Sequence, residues 1–133
     1  MGFFTSKNKN SSNESANLNW KPLQSVSELD TINAISHDKA VLIFKHSTRC
    51  SISRMALKQF ENDYTIDPTK MDSYFLDLLN FRSVSNEIAN MFLVEHQSPQ
   101  VLLIKDGKCI YHASHSQIDA ETIDSILAKV NTN

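Results

Sequence analysis

Ala40-Val41-Leu42-Ile43-Phe44 is an unbroken apolar run with β-branched members. No polar position alternates with the apolar ones, so as a strand it must be covered on both faces. A strand of that kind needs one layer above and another below, which points to helices packed around a sheet. A covering helix precedes it. Between Ser25 and Ser36, the residues Val26, Leu29, Ile32 and Ile35 recur every three positions, as on one face of a helix. Glu28, three residues beyond Ser25, completes the pattern of a capping box.

The rest of the chain continues this grammar. A helix is expected from about Ser51 to Asn62, with Ile52, Met55, Ala56 and Phe60 facing inward. Asp67-Pro68 marks a loop, and Ser73–Leu79 reads as a second strand. Another helix is expected from about Val84 to Val94, with Ile88, Met91 and Phe92 inward and Ser83 or Ser85 as its cap. Val101–Ile104 and Cys109–Ala113 flank Lys105-Asp106-Gly107-Lys108. Asp-Gly between two strand-like runs predicts a hairpin, because glycine accepts the positive φ of a primed turn. A last helix spans about Asp119–Val130. A βαβ unit extended by a helix and a hairpin predicts a thioredoxin-like α/β fold. We expect a central mixed four-stranded sheet flanked by helices, with an extra N-terminal helix.

A length of 133 residues, 41% of them apolar, favours one domain with a real core. Residues 5–19 are Ser/Asn-rich with almost no apolar anchors, so residues 1–19 are expected to be a disordered polar tail. The domain then spans 20–133, with Trp20 as a lid on its edge. A net charge of −2 gives no general attraction to nucleic acid or to an anionic membrane. No stretch approaches the roughly 20 apolar residues of a membrane span. Only Gly2 and Gly107 are glycines, too few for a loop that cradles phosphates. Two cysteines do not make a secreted disulfide scaffold, and nothing resembles a signal peptide, so a reducing, cytoplasmic setting is expected.

Chemistry concentrates at Cys50, between the apolar strand and the helix that follows. A helix start offers unpaired N–H groups and the positive end of the helix dipole, which favour a thiolate. The thiolate is the nucleophile in disulfide exchange. Arg49 lies beside it, and Lys45 and His46 are read as adding positive charge from the same loop, His46 as a neighbour that tunes Cys50. The motif Cys50-Ser51-Ile52-Ser53 has serine where a Cys-x-x-Cys motif has its second cysteine. Ser53 can offer a hydrogen bond but cannot form a disulfide, so the chemistry should stop at a mixed disulfide with a partner. The plainer alternative is that Cys50 is an ordinary small residue at a helix start.

Ser98-Pro99 opens the third expected strand. In a thioredoxin topology we expect this bond to be cis, turning the backbone of Ser98 towards Cys50 to align a substrate. Cys109, inside an apolar strand, is read as core; the alternative is that it resolves a disulfide, which requires its side chain to approach Cys50. The histidines His37, His46, His96, His112 and His115 share no metal-ligand spacing, so no metal site is expected.

Four segments in order, Phe44–Ser53, Val84–Ala89, Glu95–Val101 and His112–Ile118, resemble the monothiol bacilliredoxin family over roughly residues 20–128. The resemblance implies a role in bacillithiol redox homeostasis, with one cysteine removing bacillithiol from S-thiolated client proteins. It places Cys50 at the family's nucleophile and Ser98-Pro99 at its cis-proline position. No bound cofactor is implied; bacillithiol or a similar low-molecular-weight thiol is the co-substrate. The family's Thr-Cys-Pro-Ile-Ser is replaced here by Arg49-Cys50-Ser51-Ile52-Ser53, which frees a backbone N–H at Ser51. Two rival readings are a redox-sensing binding module that forms a stable Cys50 adduct, and an iron–sulfur carrier of the monothiol-glutaredoxin type.

Overall fold

A computed structural model of the protein describes residues 18–131. The chain runs β1 (Trp20–Pro22), α1 (Ser27–Ile35), β2 (Ala40–His46), α2 (Ser51–Asp63), β3 (Met71–Asp77), α3 (Arg82–Phe92), β4 (Gln100–Lys105) and β5 (Lys108–Ser114). A 3₁₀ turn at His115–Gln117 leads into α4 (Ala120–Asn131). The strands form one mixed sheet in the order β1-β3-β2-β4-β5. The pairs β1–β3 and β3–β2 are parallel, whereas β2–β4 and β4–β5 are antiparallel.

The sheet therefore has five strands rather than the expected four. Trp20, read as a lid, lies in a short edge strand in register with Ser73. Three residues ending in a proline are too short to display an alternation. With β1 in place, the helix read as an extra N-terminal element is the crossover between β1 and β2. The expected tail falls outside the described residues apart from Leu18 and Asn19, and Leu18 packs against the core.

β2 is the central strand and is buried along its whole length, as its apolar run requires. Its side chains alternate between two cores. Val41 and Ile43 join Leu29, Ile32, Val84 and Ile88 from α1 and α3. Leu42 and Phe44 join Phe60, Ile123 and Leu127 from α2 and α4. Trp20 adds its ring to the second core, 5.7 Å from Phe44, and its Nε1 donates to Glu61 on α2 at 2.8 Å.

Local signals differ in detail. Glu28 Oε1 accepts from Ser25 N–H at 3.1 Å, one half of the capping box, but the Val26 side chain lies outside the helix and is exposed. Ser85 is a buried residue within α3 rather than its cap. At the hairpin, Asp106 and Gly107 both have positive φ, 53° and 76°, as a primed turn requires. A Cβ on Gly107 would stand 2.8 Å from Asn33 Oδ1, so the glycine also permits close packing on α1.

Candidate active site at Cys50

Cys50 occupies the N-cap position of α2 with extended backbone, φ −103° and ψ 121°. Its carbonyl accepts the first helical hydrogen bond, from Arg54 N–H at 3.0 Å. No side chain caps this helix and no acidic residue lies in its first turn. The N–H groups of such a first turn lack intrahelical partners, and a helix start is where an anion is favoured. Cys50 is half-buried and unbridged. Arg49 beside it is exposed. Arg54 Nη1 donates to Thr48 O at 3.1 Å, tying the loop before Cys50 to the helix after it.

Ser53, one turn into α2, is fully buried. Its hydroxyl accepts from Ser47 N–H at 3.1 Å and lies 2.8 Å from His46 Nδ1. Two polar partners thus hold the first turn of α2 against the end of β2. Since Ser47 N–H already donates to Ser53, the hydroxyl proton is available to His46 Nδ1. His46 is buried, its ring centroid 5.4 Å from that of Phe75. Burial holds its pKa below the ordinary histidine value, against the opposing pull of Asp77.

Lys45, expected on the loop with Arg49, is instead a strand residue with no exposed surface. Its ammonium therefore adds no exposed charge near Cys50. Its Nζ lies 3.3 Å from His96 Nδ1, and Ser85 Oγ lies 3.2 Å from the same nitrogen.

The Ser98–Pro99 peptide bond is cis. Lys45 is in register with Gln100, the first residue of β4, so Pro99 and Cys50 lie at the same end of the sheet. Pro99 O accepts from His115 N–H at 3.0 Å, which fastens the proline loop to the end of β5. The Ser98 hydroxyl is buried and has no hydrogen-bond partner among the described residues.

Cys109 lies at the other end. It pairs with Ile104, which pairs with Val41 near the start of β2, whereas Cys50 follows the far end of that strand. The intervening strand length is on the order of 15 Å, well beyond the reach of a disulfide. Cys109 Sγ donates to Tyr111 O at 3.3 Å, and burial pushes its pKa up.

Two recesses are lined by residues next to Cys50 in the chain. One, of 420 Å³, is lined by Thr48, Arg49, Leu79 and Asn80. The other, of 340 Å³, is more apolar and runs along α2 past Ile52, Met55 and Ala56 to Ile118. Ile52 and Met55, expected inside, are 59% and 71% exposed. The inward stripe of α2 is Ser53, Ala56/Leu57 and Phe60, and its polar first member concealed it in the sequence. Sequence reasoning also missed Ser85 and His96 as partners of a buried lysine; a lysine ending an apolar run was the only sign.

A β-sheet of this order, with a cysteine at the start of α2 and a cis-proline at the same end of the sheet, defines a thioredoxin-fold protein with a thiol redox role. Solved structures agree on the fold. A candidate oxidoreductase with a thioredoxin fold superposes with a TM-score of 0.66 at 29% identity, covering 78% of this chain and 89% of that one. Thioredoxin from Malassezia sympodialis (Mala s 13) gives 0.64 at 18% identity, covering 84% and 90%. Thioredoxin from Trypanosoma brucei brucei gives 0.63 at 13%, covering 88% and 95%. The family profile "Monothiol bacilliredoxin BrxC" matches residues 21–123. The chain belongs to the monothiol bacilliredoxin family.

Proposed function

We propose that this protein removes bacillithiol, or a closely similar low-molecular-weight thiol, from mixed disulfides on client proteins, with Cys50 as its nucleophile. The observation that carries this reading is the place of Cys50. It sits at an uncapped helix start, with a serine and not a cysteine one turn on, and with Cys109 at the opposite end of the sheet.

The Cys50 thiolate attacks the small-thiol sulfur of the mixed disulfide. A Cys50–small-thiol disulfide forms, the original disulfide breaks, and the client leaves as a thiolate that takes a proton from water. A second molecule of the small thiol, as thiolate, then attacks its own half of the Cys50 disulfide. This gives the small-thiol disulfide and restores the Cys50 thiolate, so electrons balance at both steps. Ser53 keeps the first turn of α2 in place, and Ser98 and Pro99 align the incoming chain. The recess at Thr48, Arg49, Leu79 and Asn80 suits a small polar thiol, with the Arg49 guanidinium available to an anionic group. The exposed Ile52 and Met55 suit the apolar flank of a client.

The test is release of bacillithiol from a model S-bacillithiolated protein, followed by mass. The wild type and Cys109→Ala should release it at equal rates and Cys50→Ala should not.

A further inference from the structure

Lysine is rarely buried completely, because removing an ammonium from water is costly unless it is partnered. Lys45 nevertheless has no exposed surface, and among the described residues no carboxylate lies within ion-pairing distance of it. Its Nζ meets a ring nitrogen, His96 Nδ1, at 3.3 Å. A lysine ammonium can only donate, so Nδ1 accepts and the ring proton of neutral His96 sits on Nε2. Ser85 Oγ, in the first turn of α3, meets the same nitrogen at 3.2 Å. The single lone pair of Nδ1 is shared between Lys45 and Ser85, so His96 links β2, α3 and the loop that precedes β4 through a bifurcated contact.

That loop carries Ser98 and Pro99. Its foot is fixed separately by Gln100, which lies opposite Lys45 in the sheet and is itself buried. Gln100 Nε2 donates to Glu95 O at 3.0 Å, and its Oε1 accepts from Gln97 N–H at 3.4 Å. Gln100 closes the loop on itself without fixing its direction. Pro99 O, accepting from His115 N–H at 3.0 Å, fastens the loop's far end to β5, and the contact from His96 to Lys45 and Ser85 ties its near end to β2 and α3.

We propose that Lys45 and His96 are positioning residues for exchange at Cys50, the buried lysine setting, through His96, the loop that presents Ser98 and Pro99. The consequence for exchange rests on the function proposed above; the hold on the loop does not.

The experiment compares wild type, Lys45→Met, His96→Leu and His96→Asn. The readouts are amide hydrogen exchange at Gln97 and Gln100, alkylation of Cys50 by iodoacetamide, and bacillithiol release from an S-bacillithiolated protein. In Lys45→Met and His96→Leu, those amides should exchange about tenfold faster or more, as loss of a charge-assisted hydrogen bond implies. Release should slow by a similar factor, while alkylation, which needs no aligned partner chain, stays within about twofold. Asparagine places an acceptor near the position of Nδ1, so His96→Asn should return both quantities to within about threefold of wild type. His96 is exposed, so its variants remain informative even where Lys45→Met fails to fold. Unchanged loop protection in His96→Leu, or faster alkylation matching slower release, would overturn the proposal. Should the wild type release no bacillithiol, the functional reading falls, and loop protection alone decides whether the pair positions the loop.

Discussion

Lys45 and His46 are consecutive residues at the end of β2, and their side chains leave opposite faces of the sheet. Lys45 reaches His96 beside α3 at 3.3 Å, and His46 reaches Ser53 in α2 at 2.8 Å. Strand geometry makes this alternation obligatory. One dipeptide thereby contacts both the start of α2, which carries Cys50, and the loop that carries Pro99.

Ser53→Ala should destabilise the protein by about 1–3 kcal/mol, because it strands Ser47 N–H and His46 Nδ1 without a partner near the core. Urea unfolding followed by circular dichroism measures this. A midpoint equal to that of wild type would mean that the contact contributes nothing.

Stability should fall as the medium is acidified. Burial, the largest cause at His46 and at His96, places both pKa values below the ordinary histidine value. The unfolded chain therefore takes up protons more readily than the folded one once the pH drops below about 6.5. The folded protein is at full strength above that value and weakens below it. His46, being buried, should dominate. Unfolding midpoints at pH 7.5 and 5.5 should differ more for wild type than for His46→Asn, which keeps an acceptor for Ser53. Identical pH slopes would contradict this.

Lys45→Met should raise stability at pH 7 even while it slows exchange. Burial lowers the Lys45 pKa from 10.5 to about 8, so at pH 7 the folded state carries a desolvated ammonium. Removing it should gain about 1–3 kcal/mol. Between pH 8 and 10.5 the folded lysine loses its proton while the unfolded one keeps it, so wild type gains on the variant over that window. The variant's advantage should shrink accordingly by pH 10. A variant less stable than wild type at pH 7 would show that the hydrogen bond to His96 outweighs desolvation.

Gly107→Ala should cost about 1–2 kcal/mol, since alanine at φ 76° is strained and its Cβ would press on Asn33 Oδ1. Thermal unfolding checks this, and a melting temperature unchanged by the substitution would contradict it.

Much of this structure is legible in the chain because its signals are local and redundant. The run Ala40–Phe44 gives the central strand, and Asp106-Gly107 gives the primed turn. The element order gives the fold, and Cys50 stands out between strand and helix. The remainder depends on contacts between distant segments. β1 is three residues long and owes its strand character to pairing with β3. Ser53 faces inward and Ile52 faces outward because His46, a residue on another element, supplies a partner for the hydroxyl. Composition pointed the other way, since isoleucine is usually the buried one of the two. Lys45 looked like loop charge because the sequence cannot show that His96, far along the chain, stands over it. Cys109 is remote from Cys50 through hairpin register, which spacing along the chain does not disclose.

Bacillithiol release from an S-bacillithiolated protein by wild type, Cys50→Ala and Cys109→Ala decides whether Cys50 alone carries the exchange. Wild type and Cys109→Ala should act at equal rates, while Cys50→Ala should show only the uncatalysed background. Release by Cys50→Ala at the wild-type rate would contradict this.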